Sequence, residues 1–120
     1  MSPEAQRIAI AEACGWKLVT DNPEYEPYWE DPKGNMVAVS NGVHRFPNYL
    51  NDLNAMHEAE TFIRNAQDQM RYASETLIAM GFDDLIEASD LNVDYCWHAM
   101  GATAAQRAEA FLKALNLWKP

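Results

Sequence analysis

Residues 103–115 read TAAQRAEAFLKAL, and this stretch carries the strongest helix signal in the chain. Thr103 with Gln106 three residues later is a capping box, in which each side chain bonds to the other residue's backbone N–H at the start of a helix. Apolar residues recur behind it at helical spacing and form one stripe: Ala104, Ala108, Phe111, Leu112 and Leu115. The stretch therefore predicts a helix that buries one face against the rest of the protein.

A first helix is predicted at the beginning of the chain. Ser2 is a helix cap, Pro3 suits the first helical position, and Glu4 faces the positive end of the helix dipole. Gly15 supplies a stop, because glycine is the residue that most often ends helices. The small and apolar residues between them predict a helix that packs on more than one neighbour.

The middle of the chain has two helical patterns. Residues 49 to about 63 show the first. The second is an apolar stripe that stops at Gly81 and consists of Ala66, Met70, Ala73, Leu77 and Met80. Whether these patterns belong to two helices or to one bent helix is open, and Asn65 is the candidate cap for a break.

Short strand-like runs lie between the helical segments. Residues 16–19 and 36–39 have strand composition, and the turn cluster at residues 31–35 predicts a hairpin with Tyr28 and Trp29 in its first arm. Residues 93–98 alternate as a strand would, after a short helical turn within residues 82–90. This order predicts an α+β fold, in which a small antiparallel or mixed sheet of roughly three strands is sandwiched by helices in α-β-α layers.

The composition excludes several classes of protein. The chain has 120 residues, with 18 acidic against 9 basic side chains and a net charge of -9. This length fits a single domain over residues 1–120. Because a membrane span needs roughly 20 apolar residues and the N-terminus lacks a secretory pattern, we predict a cytoplasmic protein without membrane contact. The negative charge opposes direct binding to a nucleic-acid backbone, which requires a basic face.

Three segments of the sequence together resemble one protein family. They are IAIAEACGW at residues 8–16, PNYLNDLNAMHEAE at residues 47–60 and ATAAQRAEAFL at residues 102–112. The family is a group of small bacteriophage and prophage proteins, the phage ABA sandwich domain. The resemblance implies helices on both faces of a sheet and a place in the cytoplasm of a bacterial host. It implies no reaction and no set of catalytic residues.

His57 and Glu60 are candidate ligand-binding residues. On a helical wheel both fall inside the apolar arc of residues 49–63, so the pattern predicts that they are buried. Burial of an ionisable group without a partner costs several kcal/mol, so each must contact the other, a backbone carbonyl or a bound molecule. Two interpretations stay open: His57, Glu60 and Asp52 bind a ligand or act as acid–base groups, or they form a structural network.

Metal and nucleophile chemistry remain as alternatives. Cys96 and His98 share a predicted strand face, and with His57 and Glu60 they would suffice for a zinc site, although nothing in their spacing requires one. Cys14 lies at a predicted helix C-terminus, which disfavours a thiolate. No nucleophile elbow, phosphate loop or dinucleotide fingerprint is present. We therefore predict no catalytic residue, no bound metal and no cofactor.

The start of the predicted final helix is a candidate site for a small anionic ligand. Backbone N–H groups meet the positive end of the helix dipole near Thr103, and Arg107 follows one turn later. Trp16 and Tyr49 offer aromatic rings on which a nucleobase would stack. The alternative is an ordinary capping box with Arg107 paired to a neighbouring acid.

The acidic residues concentrate in two segments, at residues 21–31 and 83–94, and neither segment contains Lys or Arg. In the first segment the acids alternate with aromatic residues, a composition suited to a basic protein surface. The candidate partner-binding residues are Glu24, Tyr25, Glu26, Tyr28 and Trp29. The alternatives are a solvated loop whose aromatic rings pack on the core, and mimicry of DNA.

The missing catalytic signatures predict a non-enzymatic protein that acts by binding, and the resemblance implies that it is a phage or prophage accessory protein. The predicted partner is a small anionic, nucleotide-like ligand or a host defence protein, so the expected role is counter-defence by sequestering a nucleotide immune signal or by blocking a defence protein. An acidic protein–protein interaction module and a small metal- or Cys/His-dependent enzyme remain alternatives. The Met-rich and Trp-containing faces suit either a core or a homo-oligomer interface, which leaves the oligomeric state open.

Overall fold

A computed structural model describes residues 1–25, 27–37, 47–81 and 101–120. These residues contain four helices and one three-stranded antiparallel sheet, so the protein has the predicted small α+β fold. In chain order the elements are α1 (Pro3–Ala13), β1 (Lys17–Val19), β2 (Tyr28–Glu30), β3 (Met36–Val37), α2 (Leu53–Glu60), α3 (Ala66–Ala79) and α4 (Ala104–Ala114). Among the described helices, none combines the length and the apolar character that a bilayer crossing requires.

Several predicted features lie outside the described residues. They are the end of the second predicted strand at residues 38–39, the short helical turn within residues 82–90, the strand at residues 93–98 and the second acidic segment. Cys96 and His98, which the sequence analysis considered as alternative zinc ligands, also lie outside the described residues.

The predicted helix caps Ser2, Asn65 and Thr103 are confirmed, because each bonds to the backbone N–H three residues further along the chain. The helix predicted from residue 49 begins instead at Leu53, where Asp52 is its cap. Ser2 Oγ accepts from the N–H of Ala5 at 3.1 Å. The capping box at the start of α4 is complete, with Gln106 N–H donating to Thr103 Oγ1 at 3.1 Å and Thr103 N–H donating to Gln106 Oε1 at 2.9 Å. Asn65 caps α3, so residues 49–80 form two helices, α2 and α3, with a break between them.

Helix α1 ends at the predicted glycine. Gly15 has a φ of 97°, a conformation that glycine adopts without steric cost. This turn lets the N–H of Trp16 donate to the carbonyl of Ala11 at 3.0 Å and the N–H of Gly15 donate to that of Glu12 at 3.1 Å. The pair of bonds is a Schellman motif, which satisfies the last carbonyls of the helix and aims the chain at β1.

Helix α4 ends in the same motif but with Asn116 in the left-handed position, at a φ of 60°. Leu117 N–H donates to the carbonyl of Leu112 at 2.7 Å, and Asn116 N–H donates to that of Lys113 at 3.2 Å. The side chain of Arg71 on α3 donates to Asn116 Oδ1 at 2.8 Å. A cation from α3 therefore sits at the negative end of the α4 dipole and ties the two helices together.

The sheet is a meander in the order β1-β2-β3. Trp29 in the central strand pairs with Leu18 on one side and Val37 on the other, and its ring is buried. The β2–β3 hairpin closes through the turn predicted at residues 31–35, where Asp31 N–H donates to the carbonyl of Asn35 at 2.9 Å. The hairpin prediction with Tyr28 and Trp29 in its first arm is therefore confirmed.

Helix α4 is the centre of the core and packs against α1, α2 and α3. Its Phe111 is fully buried and meets the ring of Tyr72 on α3 edge-to-face, with centroids 6.5 Å apart. Residues of all four helices and the central strand complete the cluster, among them Ile10, Ala11, Trp29, Met56, Ile63 and Leu112.

The predicted buried stripe of α3 is wrong at its N-terminal end. Met70 is 64% exposed and Ala66 is also exposed, whereas Tyr72, Thr76 and Leu77 are buried. The reason is that α4 contacts the side of α3 that carries Tyr72. Thr76 tolerates burial there because its hydroxyl donates to the carbonyl of Tyr72 at 2.7 Å.

Candidate functional site

A cleft of about 330 Å³ lies between the end of α1, the β2–β3 turn and α2. Its size is that of a small-molecule pocket. The lining residues are Cys14, Trp16, Asp31, Pro32, Lys33, Asn35, Pro47, Tyr49, Glu58, Ala59 and Phe62. They combine aromatic rings with a few polar and charged groups, which is the composition that ligand sites in proteins usually have.

A larger groove of about 530 Å³ lies between α1 and the C-terminal segment that carries Leu117 and Lys119. Its described lining is mostly aliphatic, with Glu12 and Lys119 as the charged members. Specific recognition of a small molecule requires polar groups that converge on it from several directions. The smaller cleft meets this requirement better, and we treat it as the candidate site.

The floor of the cleft is built from buried residues at the end of α1, before α2 and on α2. Cys14 and Tyr49 are each 3% exposed, and Ala59 is 1% exposed. The hydroxyl of Tyr49 hydrogen-bonds with the side chains of Cys14 and Trp16. Because that hydroxyl is already engaged, Tyr49 contributes mainly an apolar surface to the floor.

Burial raises the pKa of the Cys14 thiol to about 11, with the Tyr49 hydroxyl lowering the pKa and the charge of Glu58 raising it. Burial also raises the pKa of the Tyr49 phenol, and the neighbouring Cys14 adds to the increase. Both groups are therefore neutral at physiological pH. Cys14 in this state is a packing residue and a poor nucleophile.

We expect the protein to lose stability in alkali because of this pair. The pKa of the Cys14 thiol is higher in the folded protein than in the unfolded chain. Its contribution to the free energy of unfolding is therefore fully present below about pH 9 and is lost as the pH rises through about 11. Urea unfolding at several pH values from 8 to 11 measures the effect. Cys14→Ala should flatten the decline, whereas Tyr25→Phe, at an exposed ring, should leave it unchanged. An equally steep decline in Cys14→Ala would contradict this assignment.

The β2–β3 turn forms one rim of the cleft and is held by Asp31. Its Oδ1 accepts from the backbone N–H groups of Lys33 and Asn35, both at 2.9 Å, and its Oδ2 accepts from Asn35 Nδ2 at 3.3 Å. The hydrogen bond from the backbone of Asn35 is the main cause of the lowered pKa of the Asp31 carboxyl. The turn therefore carries a fixed negative charge beside the ammonium group of Lys33.

Aromatic rings from two elements line the cleft above this floor. Trp16 follows the α1 turn and is partly exposed, and Phe62 after α2 is 38% exposed. The guanidinium of Arg64 lies 5.9 Å from the centroid of the Phe62 ring. Glu58, on the exposed side of α2, adds a second carboxylate to the cleft.

A separate ionic cluster joins α2 to α4. Arg107 is 6% exposed, its Nη1 lies 3.2 Å from Glu60 Oε1, and its Nε donates to the carbonyl of Ala102 at 3.3 Å. His57 Nδ1 lies 3.5 Å from the same carboxylate oxygen of Glu60. Of the two arrangements that the sequence left open for Arg107, the structure has the one in which it pairs with an acid.

The prediction that His57 is buried is wrong. Its side chain is 52% exposed, and that of Glu60 is 24% exposed. The reason is that α2, which begins at Leu53 and ends at Glu60, buries only the face that carries Ala55, Met56 and Ala59. His57 lies about 100° further around the helix than Met56 and is therefore outside this face.

Two other predicted ligand-binding residues are helix caps in the structure. Thr103 belongs to the capping box of α4. Asp52 is the N-cap of α2, where its Oδ1 accepts from the N–H groups of Asn54 at 3.0 Å and Ala55 at 3.4 Å. Their side-chain oxygens are thus bonded to the helices that they begin.

The predicted partner-binding loop is partly exposed and partly buried. Tyr25 is 55% exposed and meets Tyr28 edge-to-face, with centroids 6.1 Å apart, and Glu24 is exposed. Trp29 is only 4% exposed and packs in the core, so its ring does not lie on the loop surface. Glu26 lies outside the described residues. The loop stays a predicted partner surface through its other members.

The predicted site residues therefore fall into separate groups. Trp16 and Tyr49 line the cleft together, while His57, Glu60 and Arg107 form the ionic cluster. The sequence analysis did not identify several cleft residues: Lys33, Asn35, Glu58 and Phe62. In the part of the chain that the structure describes, no three His, Cys, Asp or Glu side chains are grouped closely enough to hold a metal ion.

No family model, no curated protein and no solved structure matches this chain. The geometry of the cleft is therefore the basis for a functional proposal. Of the described features, the cleft is the one that brings aromatic, cationic and hydrogen-bonding groups together in a small concave space.

Proposed function

We propose that this protein is a non-enzymatic binding protein that holds a small, nucleotide-like ligand in the cleft between α1, the β2–β3 turn and α2. The observation that carries the proposal is the meeting of Trp16 and Tyr49 in one cleft. These two residues are far apart in the sequence. The sequence analysis predicted both as aromatic rings on which a nucleobase would stack.

The remaining cleft residues add what such a ligand needs. Lys33 supplies a positive charge at the rim, and Asn35 and Glu58 supply hydrogen-bonding groups. Phe62 offers a further ring on the α2 side. Stacking on an aromatic ring contributes about 1–3 kcal/mol per base, so one or two rings supply about 1–6 kcal/mol of the roughly 8 kcal/mol that a micromolar Kd requires, and the polar contacts must supply the rest.

The biological role that we propose is counter-defence. The three segments that resemble phage ABA sandwich proteins support an origin in a phage or prophage, where small accessory proteins sequester nucleotide signals of the host or block defence proteins. A protein of this kind acts by holding its ligand and needs no catalytic group. Turnover of a nucleotide by the purified protein, lost in His57→Ala, would contradict the binding-only proposal.

The first test is calorimetric titration with the four ribonucleoside monophosphates. We expect at least one to bind, and we expect Trp16→Leu to weaken that binding by roughly 10-fold or more because a stacking surface is lost. Trp118→Leu is the matched control, since Trp118 is partly exposed and lies outside the cleft lining. The Trp118 ring instead contacts Lys113, whose Nζ lies 5.3 Å from the ring centroid. Equal affinity in wild type and Trp16→Leu, or failure of all four to bind, would overturn the proposal.

A further inference from the structure

We infer that the cleft recognises the nucleobase ring of its ligand, through hydrogen bonds to the ring edge that carries an amino group. Any phosphate of the ligand stays in solvent. The inference rests on the proposed function and specifies the part of the nucleotide that is bound. The chemical class is an amino-bearing nucleobase, as in adenosine or cytidine.

The charges of the cleft oppose a phosphate. Asp31 and Glu58 contribute two carboxylates, and Lys33 contributes one ammonium group, so the formal charge of the lining is negative. Asp31 keeps its charge because three hydrogen bonds of the turn stabilise the carboxylate. A neutral ring enters such a cleft without repulsion, whereas a phosphate dianion is repelled by both carboxylates.

The floor is also unsuited to an anion. It consists of Tyr49, Cys14 and Ala59, all buried, and the Tyr49 hydroxyl is bonded to side chains of the protein itself. A phosphate needs several converging N–H donors, such as a helix N-terminus or a guanidinium. A flat apolar ring instead gains from covering this surface and from stacking on Trp16.

The groups best suited to an anion lie elsewhere in the described structure. Arg107 is outside the described lining of the cleft and is paired with Glu60 at 3.2 Å. The first backbone N–H groups of α2 face Asp52, which caps that helix. Lys33 is the cation of the described lining, and the guanidinium of Arg64 lies 5.9 Å from the centroid of the Phe62 ring at the edge of the cleft.

The polar groups of the cleft include acceptors that match an exocyclic amine. The Glu58 carboxylate is an acceptor only, and a charge-assisted bond to it is stronger than a neutral one. Asn35 also lines the cleft, and its side-chain amide, whose nitrogen donates to Asp31 Oδ2 at 3.3 Å, carries an oxygen that can accept a hydrogen bond. Adenine and cytosine present an amino group to such acceptors, whereas uracil presents a carbonyl at the corresponding position.

The test compares adenosine, cytidine, uridine, adenosine monophosphate and inorganic phosphate by titration against the full chain. We expect adenosine or cytidine to bind at least 10-fold more tightly than uridine, and to bind within about 3-fold of the corresponding monophosphate. Inorganic phosphate at 10-fold excess over the nucleoside should displace none of it. Glu58→Gln should weaken nucleoside binding several-fold and shift the preference toward the monophosphate, because one repelling charge is removed. Glu75→Gln on α3, outside the cleft lining, should change neither affinity.

The outcomes separate this inference from the function on which it rests. A monophosphate that binds 10-fold more tightly than its nucleoside, or that inorganic phosphate displaces, would overturn ring recognition and leave nucleotide binding in place. Displacement of the nucleoside by tetramethylammonium at equal concentration would instead assign the aromatic and acidic lining to an organic cation. Absence of binding by every nucleoside and nucleotide would refute the proposed function itself.

Discussion

Replacing Phe111 with alanine is expected to lower the free energy of unfolding by about 4 kcal/mol. Phe111 is 0% exposed, lies on the helix that packs against the other three described helices, and holds the ring of Tyr72 edge-to-face. The substitution removes the buried ring and leaves a cavity that the surrounding helices fill only in part. Because small domains have a total stability of about 5–15 kcal/mol, this loss removes between about a quarter and four fifths of the total.

Urea denaturation followed by far-UV circular dichroism measures this loss directly. Phe62→Ala is the matched control, since the same atoms are removed from a ring that is 38% exposed at the edge of the cleft, and we expect a cost of about 1 kcal/mol there. Phe111→Leu should lower the free energy of unfolding by less than half as much as Phe111→Ala does. A cost below about 1 kcal/mol for Phe111→Ala would contradict the central position of α4.

Removing the carboxylate of Glu60 is the second substitution expected to have a large effect. Glu60→Ala removes the carboxylate oxygen that lies 3.2 Å from the guanidinium of Arg107, which is 6% exposed, and we expect a cost of about 2–3 kcal/mol. The double variant Glu60→Leu with Arg107→Met replaces both charges by apolar groups. It should be more stable than Glu60→Ala, because the buried guanidinium is removed together with the carboxylate.

The exposed pair Glu109 and Lys113 on α4 provides the control, with 3.3 Å between Oε1 and Nζ. Glu109→Ala should cost below about 0.5 kcal/mol, since exposed ion pairs contribute little. The same variants test the predicted ligand role of Arg107. If Arg107→Met abolished binding of a monophosphate without changing the unfolding free energy, Arg107 would be a ligand-binding residue and the structural interpretation would be wrong.

The features that could be predicted from the sequence are those decided by neighbours along the chain. A cap bonds to N–H groups two or three residues away, so Ser2, Asn65 and Thr103 were each identifiable from their own segment. The same holds for Gly15 and for the turn at residues 31–35, where local backbone geometry selects the residue type.

The features that could not be predicted depend on which elements meet. The buried face of α3 follows the position of α4, so the predicted stripe that began with Ala66 and Met70 is not the buried one, and the buried face includes Tyr72 and Thr76. The cleft combines Trp16, Lys33 and Glu58 from three different elements, and no spacing in the sequence indicates that they lie together. Trp16 and Tyr49 were identified only because aromatic rings suit a nucleobase, without any indication that they share a cavity.

The central position of α4 also affects how the protein folds during synthesis. The helices α1, α2 and α3 precede α4 in the chain. About ninety residues separate the end of α1 from the start of α4, on which it packs. At roughly 5–20 residues per second, a ribosome needs several seconds to make that interval. During this time the apolar faces of α1, α2 and α3 that pack on α4 are not yet covered by it. The nascent chain is therefore a substrate for chaperones, and stable structure is expected only after α4 has left the exit tunnel.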